Sequence, residues 1–270
     1  MAAPRFAVNT FSYIWRFGIE ACIEHLAKRR QHVFEALLTS PHLWPREFDQ
    51  AARARLRETL ERNEARIVSL NAGGVDNNLA SAAADVRAAA RVYLCDVVDL
   101  AADIGAPSVV MSPGTPRTLL PPPREWMLRW FLGEMETIVA HAERRGVQLL
   151  LENIPFAFLP RADELMSAIA GFPADRVGIV YDVANAVYVR EEPLAGIARV
   201  ASRLRLVHLS DTTLEKWEHA PVGRGVVPFE PIAAKLREMS FAGPLVAEIV
   251  SLDPDTEIPE SIRALSRLAW

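Results

Sequence analysis

The sequence has few of the features that mark secreted, membrane-bound or nucleic-acid-binding proteins. Its 270 residues include two cysteines, Cys22 and Cys95, which lie far apart and form no Cys-x-x-Cys pair, so a disulfide framework is not expected. The net charge is -4 and acidic residues are interleaved with the arginines, which argues against a basic face for nucleic acid. No apolar run approaches the ~20 residues that cross a bilayer, and no signal segment opens the chain. We therefore expect a cytoplasmic protein without nucleic-acid or membrane partners.

Linkers and low-complexity segments are also missing, and the prolines at 121–123 fit a loop inside a domain. Half of the residues are hydrophobic, which is enough to bury a substantial core. Chains of this length commonly form one barrel domain. We predict a single domain over residues 1–270.

Short apolar runs alternate along the chain with longer stretches of helical spacing. The runs predicted as strands are Phe6–Tyr13, His32–Leu38, Ala65–Asn71, Ser108–Ser112, Val147–Ile154, Val177–Val183, Leu204–Ser210 and Pro244–Val250. This alternation predicts parallel strands joined by crossover helices. A doubly wound open sheet would give the same alternation. Eight units, and no Gly-rich nucleotide loop after the first strand, favour an α/β fold closed as a single (β/α)8 barrel.

Four consecutive predicted strands carry an ionisable residue near their carboxyl ends: Glu152, Asp182, His208 and Glu248. In a barrel these ends form the mouth, where active sites lie. Three carboxylates buried together would repel one another, and a divalent cation would relieve that repulsion. Three oxygen donors and one nitrogen favour Mn²⁺, with Mg²⁺ or Co²⁺ as alternatives, whereas Zn²⁺ usually brings more histidine or cysteine. Each residue alone fits an exposed loop, but their recurrence on successive strands predicts one shared metal site.

Five residues near the predicted strand ends are candidates for contacts with a small substrate: Trp15, Glu35, Asn185, His219 and Asp211. Trp15 can form an apolar wall or pack at the barrel rim. Glu35 can bind a substrate hydroxyl or form a strand-end salt bridge. Asn185 can bind a substrate oxygen, and His219 can contact substrate or be an exposed loop histidine. Asp211 can orient a group of the site or cap the loop that follows it.

The loop after the seventh predicted strand carries two further features. Gly223 and Gly225 can shape a tight turn or expose N–H groups to a phosphate, but they do not open a helix behind a strand, so a dinucleotide fingerprint is not supported. Trp217 can belong to a lid or to a contact with a second subunit. Assembly as a homodimer or a homotetramer therefore stays open.

At these residues the chain resembles the sugar isomerase/epimerase superfamily, the xylose-isomerase-like TIM barrels. The resemblance spans nearly the whole chain and rests on Phe11, Tyr13, Trp15 and Glu35 and on the stretches Leu151–Pro155, Tyr181–Ala186, Val207–Asp211, Gly223–Gly225 and Ala247–Ile249. It implies one divalent metal, Mn²⁺ foremost, at the four strand-end positions. It also implies that Glu152 and Glu248 act as an acid/base pair on a keto sugar or sugar phosphate through an enediolate.

The chain departs from the ketose 3-epimerases of that superfamily at three positions. They carry a second glutamate where this chain has Phe158, often a histidine at Asn185, and an arginine at His219. The asparagine resembles the pentulose-phosphate epimerase branch. Epimerisation of free ketohexoses is therefore in question, and an inosose dehydratase-like lyase using the same metal site is the main alternative.

Two remote alternatives remain. An apurinic endonuclease of this fold would need additional histidines on strands two to four and seven, but strand three ends at Asn71-Ala72-Gly73 and strand four at Ser112-Pro113-Gly114. A non-catalytic barrel that serves as a binding scaffold would be indicated by purified protein without metal.

Overall fold

A computed structural model describes residues 6–73 and 77–270, and eight parallel strands in these ranges close into a barrel. The strands are β1 Ala7–Asn9, β2 Val33–Leu37, β3 Arg66–Asn71, β4 Ser108–Met111, β5 Gln148–Glu152, β6 Val177–Asp182, β7 Leu204–Leu209 and β8 Leu245–Ala247. Each strand pairs with the next, and β8 returns to β1 through Ala7 opposite Val246. The predicted (β/α)8 barrel is confirmed. The predicted single domain also covers residues 1–5 and 74–76, which lie outside the described ranges.

Helices follow the strands along the chain. They are α1 Ile19–Ala27, α2 Gln50–Arg62, α3 Ala84–Ile104, α4 Arg124–Arg145, α5 Ala162–Ala168, α6 Val183–Tyr188, α7 Pro193–Val200, α8 Phe229–Glu238 and α9 Pro254–Leu265, with short 3-10 helices at Phe11–Tyr13 and Pro45–Glu47. The two longest, α3 and α4, end at Gly105 and Gly146 in the left-handed conformation that glycine adopts readily. In the described ranges, no helix combines the length and hydropathy of a bilayer-spanning segment.

Every strand is shorter than the apolar run predicted, and β1 and β8 are shortened most. The first run extends to Tyr13, but β1 ends at Asn9, whose side-chain oxygen accepts the N–H of Phe11 at 2.8 Å and turns the chain into a 3-10 helix. The eighth run extends to Val250, but β8 ends at Ala247. Beyond it the N–H of Val250 bonds to the carbonyl of His219, which lies in a loop. Both strands end because a loop takes over the backbone hydrogen bonds.

The barrel interior contains two layers of side chains with opposite character. One apolar residue from every strand forms a buried cluster of its own: Ala7, Val33, Val68, Val110, Leu150, Val180, Leu206 and Val246. Because alternate residues of a strand face the same side, the residues two positions later also face inward. On six strands these residues are Asn9, Glu35, Glu152, Asp182, His208 and Glu248. The alternation of the strands therefore stacks a polar layer on the apolar one, at the carboxyl end of the barrel.

Candidate metal centre

Three carboxylates and one imidazole meet in the polar layer. Glu152, Asp182, His208 and Glu248 are all buried, and one donor atom of each lies within 4.8 Å of the others. Within the described residues, Asp182 Oδ2 and Glu248 Oε2 are buried without a hydrogen-bond partner. Leaving carboxylate oxygens buried and unpartnered is costly, so this donor set fits a divalent cation that would bind them.

The geometry at the strand ends determines which side-chain atoms could bind a cation. Asp182 is the last residue of β6 and caps helix α6, because its Oδ1 accepts the N–H of Asn185 at 2.7 Å. This leaves Oδ2 for a cation. Asp182 lies in register with His208 of β7, and Glu248 directly follows β8. Local strand and helix geometry thus fixes both the position and the orientation of the donors.

His208 directs its two ring nitrogens at different groups. Nδ1 lies 3.0 Å from Glu152 Oε1 and 2.9 Å from Glu248 Oε2, and Nε2 lies 2.9 Å from Glu35 Oε1. Nδ1 is therefore the nitrogen that would bind a cation, while Nε2 faces the Glu35 carboxylate. A carboxylate behind a metal-binding histidine fixes its tautomer and strengthens the nitrogen as a ligand.

Glu35 lies behind the metal-binding atoms, on β2. It is completely buried and accepts hydrogen bonds from Asn9, Ser69 and Asn71. Burial raises the pKa of its carboxyl group, but the charge of His208 and these hydrogen bonds outweigh burial and leave the pKa lowered. This environment matches the strand-end salt bridge of the two interpretations, and a substrate contact of Glu35 stays a prediction.

Asparagines that the sequence pattern did not identify hold the acids in place. The side-chain amides of Asn9 and Asn71 each donate to both Glu35 Oε1 and Glu248 Oε1, over 2.7 to 3.3 Å. Asn153, next to Glu152, bonds the backbone of Asp182 in both directions, accepting from its N–H at 2.7 Å and donating to its carbonyl at 2.9 Å. These contacts hold the donor set rigidly before any cation is bound.

Burial and neighbouring charges shift the pKa values of the acids and of His208. Burial raises the pKa of Glu152 and of Asp182 above the ordinary carboxyl range. Burial lowers the pKa of His208, but the carboxylates of Glu248, Glu35 and Glu152 overcome this effect and raise it well above its ordinary value. A cation would take over the charge compensation that protons provide without it.

A cavity of about 1270 Å³ opens above the donors. Glu152 and Glu248 line it, whereas Asp182 and His208 are fully buried and do not. Trp15, Asn185 and His219 line it as well. The predicted substrate contacts therefore divide into three that reach the cavity and two, Glu35 and Asp211, that do not.

Comparison with known proteins identifies the family. A family model described as a xylose isomerase-like TIM barrel matches residues 31–268. The chain belongs to this family. The resemblance inferred from the sequence is thereby confirmed.

No curated protein sequence matches the chain significantly. Solved structures of similar fold include a D-tagatose 3-epimerase-like protein, at 21% identity over 98% of both chains and a TM-score of 0.86. D-Psicose 3-epimerase with D-tagatose from Clostridium cellulolyticum H10 is similar at 17% identity, over 98% of this chain and 95% of that one, with a TM-score of 0.79. The IolI protein with a bound zinc atom is similar at 14%, over 97% and 95%, with a TM-score of 0.78. At these identities the similarity is one of fold.

In this xylose isomerase-like barrel, Asn185 and His219 lie directly beside the donors. Asn185 Nδ2 is 3.5 Å from Glu152 Oε1. His219 Nδ1 is 3.5 Å from Glu248 Oε2, 3.6 Å from Asp182 Oδ2 and 3.0 Å from Ser210 Oγ. Their role as substrate contacts stays a prediction, as does that of Trp15, which is 76% exposed at the cavity.

Asp211 lies away from the cavity and organises the loop after β7. It is buried, and its carboxylate accepts the backbone N–H groups of Thr212, Gly223 and Val227 at 2.8 to 3.1 Å. Its backbone also exchanges two hydrogen bonds with Ala220, next to His219. These contacts match the loop-cap alternative, because the loop's own N–H groups use both oxygens, and a substrate contact of Asp211 stays a prediction.

The glycines of this loop serve its packing. A side chain at Gly225 would collide with the carbonyl oxygen of Thr212, and Gly223 has a φ of +94°. The N–H groups of Gly223 and Arg224 bond to Asp211 and to the carbonyl of Pro221. These contacts favour the tight turn over the phosphate-binding interpretation.

Phe158, at the position of the second glutamate of ketose 3-epimerases, is buried and packs edge-on against Phe131 with ring centroids 5.8 Å apart. The residue therefore belongs to the core.

Among the described residues, the four strand-end donors are the one group arranged for a metal, so the additional metal cluster that an apurinic endonuclease would need is not found there.

Proposed function

We propose that the chain is a divalent-metal-dependent isomerase or epimerase that acts on a small keto sugar. The unequal access of the four donors to the cavity carries the proposal. Glu152 and Glu248 border the cavity, whereas Asp182 and His208 face only the cation position. Two acids that can reach a substrate beside a cation are what proton transfer next to a carbonyl requires.

The residues of the chain divide the reaction between them. When bound, a cation would polarise a carbonyl oxygen of the substrate and stabilise the negative charge that develops there. The polar contacts of Glu152 within the described residues go to Oε1, which leaves Oε2 to take a proton from the adjacent carbon. Asn9 and Asn71 orient Glu248, which returns a proton to the carbon skeleton. Return to the same carbon on the opposite face gives an epimer, whereas return to the former carbonyl carbon, with the carbonyl moving to the first carbon, gives an isomer.

The similar structures support this assignment in two ways. They include a D-psicose 3-epimerase with D-tagatose and a protein with a bound zinc atom, so the fold accommodates keto sugars and a metal. For this chain we propose Mn²⁺, because three oxygens and one nitrogen suit a harder ion than zinc.

Solvent exchange tests the proposal. The Mn²⁺-loaded protein is incubated in D2O with a panel of keto sugars, their phosphates and inososes, and the products are analysed by NMR after the metal is removed. We expect deuterium at the carbon next to the carbonyl without loss of water. Glu152→Gln should abolish the exchange, and Glu230→Gln, on the exposed face of α8, should not.

Two results would contradict the assignment. A product that has lost water would indicate the inosose dehydratase-like lyase. Protein that binds Mn²⁺ but exchanges no proton of any panel member would indicate a non-catalytic barrel.

A further inference from the structure

The cavity is larger than a monosaccharide needs. Its volume of about 1270 Å³ exceeds the roughly 300–1,000 Å³ that encloses drug-sized ligands, and a free sugar is smaller than these. The donors occupy one part of the lining. Large apolar side chains form much of the rest: Ile14, Trp15, Trp44, Phe156, Trp217 and Leu252. A sugar at the metal centre would leave this apolar part unfilled.

Two aromatic rings form an apolar wall beside the metal centre. Phe156, in the loop after β5, meets Trp217, in the loop after β7, edge to face with ring centroids 5.1 Å apart. The indole N–H of Trp217 donates to Asn185 Oδ1 at 2.7 Å, which fixes this ring next to a residue that contacts Glu152. Because Phe156 has no polar side-chain atom and that of Trp217 is already used, the wall offers no hydrogen bonds to sugar hydroxyls.

These rings are nevertheless exposed. Phe156 is 54% exposed and Trp217 is 38% exposed, and Trp15 at the same cavity is 76% exposed. Exposed apolar groups gathered at one cavity mark a binding surface. A planar apolar group would remove them from water and stack on them.

The charged residues at the cavity argue against an anionic substrate. Among the described lining residues, the Lys and Arg side chains are Lys216 and Arg224, and each is paired with an acid, Glu218 and Glu257 respectively. A phosphate that approached either cation would also be repelled by the carboxylate already paired with it. An uncharged group would leave both pairs intact.

We propose that the substrate is an uncharged keto sugar linked to a planar apolar group, as in an aryl glycoside whose sugar ring carries a free carbonyl, with the apolar group held against Phe156 and Trp217. The sugar part rests on the proposed function, since it places the reacting carbon at Glu152 and Glu248. The apolar part rests only on the shape and chemistry of the cavity.

Equilibrium binding of two unreactive probes tests this inference. Phenyl and methyl β-D-glucopyranoside lack a carbonyl group, so they bind without turnover, and their Kd values for the Mn²⁺-loaded protein are measured by calorimetry. We expect the phenyl compound to bind roughly tenfold more tightly, because its ring stacks on the wall. Phe156→Ala should remove most of this preference and leave the affinity for the methyl compound nearly unchanged. Trp126→Ala, which removes a 48% exposed ring outside the cavity lining, is the matched control.

Equal affinities, no binding of the phenyl compound at millimolar concentration, or a preference that persists in Phe156→Ala would overturn the proposal. The same titration with D-fructose and D-fructose 6-phosphate tests the charge argument. The phosphate should bind no more tightly, and tenfold tighter binding would contradict it. Because the glucosides do not react, a phenyl preference without proton exchange would refute the proposed function and leave the aromatic subsite standing.

Discussion

The two layers inside the barrel are built by the same strands but do opposite things. The apolar layer takes one residue from each strand and contains only aliphatic side chains. Two residues further along, the polar layer buries Glu35, Glu152, Asp182 and Glu248 around one histidine. Burial of the first layer stabilises the fold, whereas burial of the second costs free energy unless a cation compensates the acids. The layer that stabilises the fold and the layer that would bind a metal are thus only two residues apart along the strands.

The largest predicted effect comes from removing one metal donor, which should strongly weaken metal binding without lowering the stability of the fold. Asp182→Asn keeps the cap of α6 but removes a charge and the unpartnered oxygen. We expect Mn²⁺ affinity to fall on the order of a thousandfold, as for loss of a ligand, with activity at background. The apo protein should melt no lower than the parent, because a buried acid has been neutralised. Calorimetric titration and thermal melts measure both, with the exposed Asp175→Asn as control. Unchanged Mn²⁺ affinity would remove Asp182 from the site.

A substitution in the apolar layer should instead lower the stability of the fold and leave metal binding nearly unchanged. Leu150→Ala deletes a side chain that is 1% exposed, so the free energy of unfolding should fall by about 2–5 kcal/mol. Once folded, the variant should bind Mn²⁺ within a few-fold of the parent. Denaturant unfolding of the apo protein gives the first value, and Leu252→Ala, at a 95% exposed position, should leave it unchanged. A loss of Mn²⁺ affinity as large as in Asp182→Asn would mean that the two layers are not separable.

Replacing Glu35, the carboxylate behind His208, should lower Mn²⁺ affinity less than replacing one of the four metal donors. Glu35→Gln keeps the shape of the side chain but removes the charge that faces Nε2 at 2.9 Å. We expect Mn²⁺ affinity to fall roughly ten- to hundredfold, the usual loss when such a partner is removed. Glu58→Gln, on the exposed face of α2, is the matched control. A glutamine variant with full affinity but impaired sugar binding would instead support the substrate contact predicted from the sequence.

The last prediction concerns how Mn²⁺ affinity depends on pH. The pKa values of Glu152, Asp182 and His208 are raised without a cation, so these groups retain protons to higher pH than usual. A cation must displace those protons, and Mn²⁺ affinity should therefore rise with pH, by about tenfold per pH unit for each proton released, and level off once they are gone. Calorimetry in buffers of different ionisation enthalpy counts the protons. Affinity that is flat or falls with rising pH over this range would contradict the assignment.

The barrel and its donors could be predicted because their signals are local. An apolar run that ends in an ionisable residue marks a strand end, and Glu152, Asp182 and His208 each follow such a run. The position of Glu248 just past β8 follows from the same pattern, even though the strand itself is shorter than the run. Closure of the barrel then brings residues from distant parts of the chain together.

The sequence left two alternatives open for Glu35 and for Asp211, because the choice between them depends on contacts far along the chain. Glu35 is assigned by the ring nitrogen of His208 that faces it, and the sequence carries no sign of that orientation. The carboxylate of Asp211 accepts hydrogen bonds from the backbone N–H groups of Gly223 and Val227, which lie near it only in the folded loop. Asn9 and Asn71 were missed for the same reason, since asparagine near a strand end is ordinary in a sequence.

The central claim is that Glu152, Asp182, His208 and Glu248 share one cation in the polar layer. Anomalous diffraction from crystals soaked in Mn²⁺ tests it most directly. We predict a single strong peak within direct coordination distance of Asp182 Oδ2, Glu248 Oε2, a Glu152 oxygen and His208 Nδ1. No peak at this position in a folded crystal, or a manganese ion bound through His208 Nε2, would contradict the account.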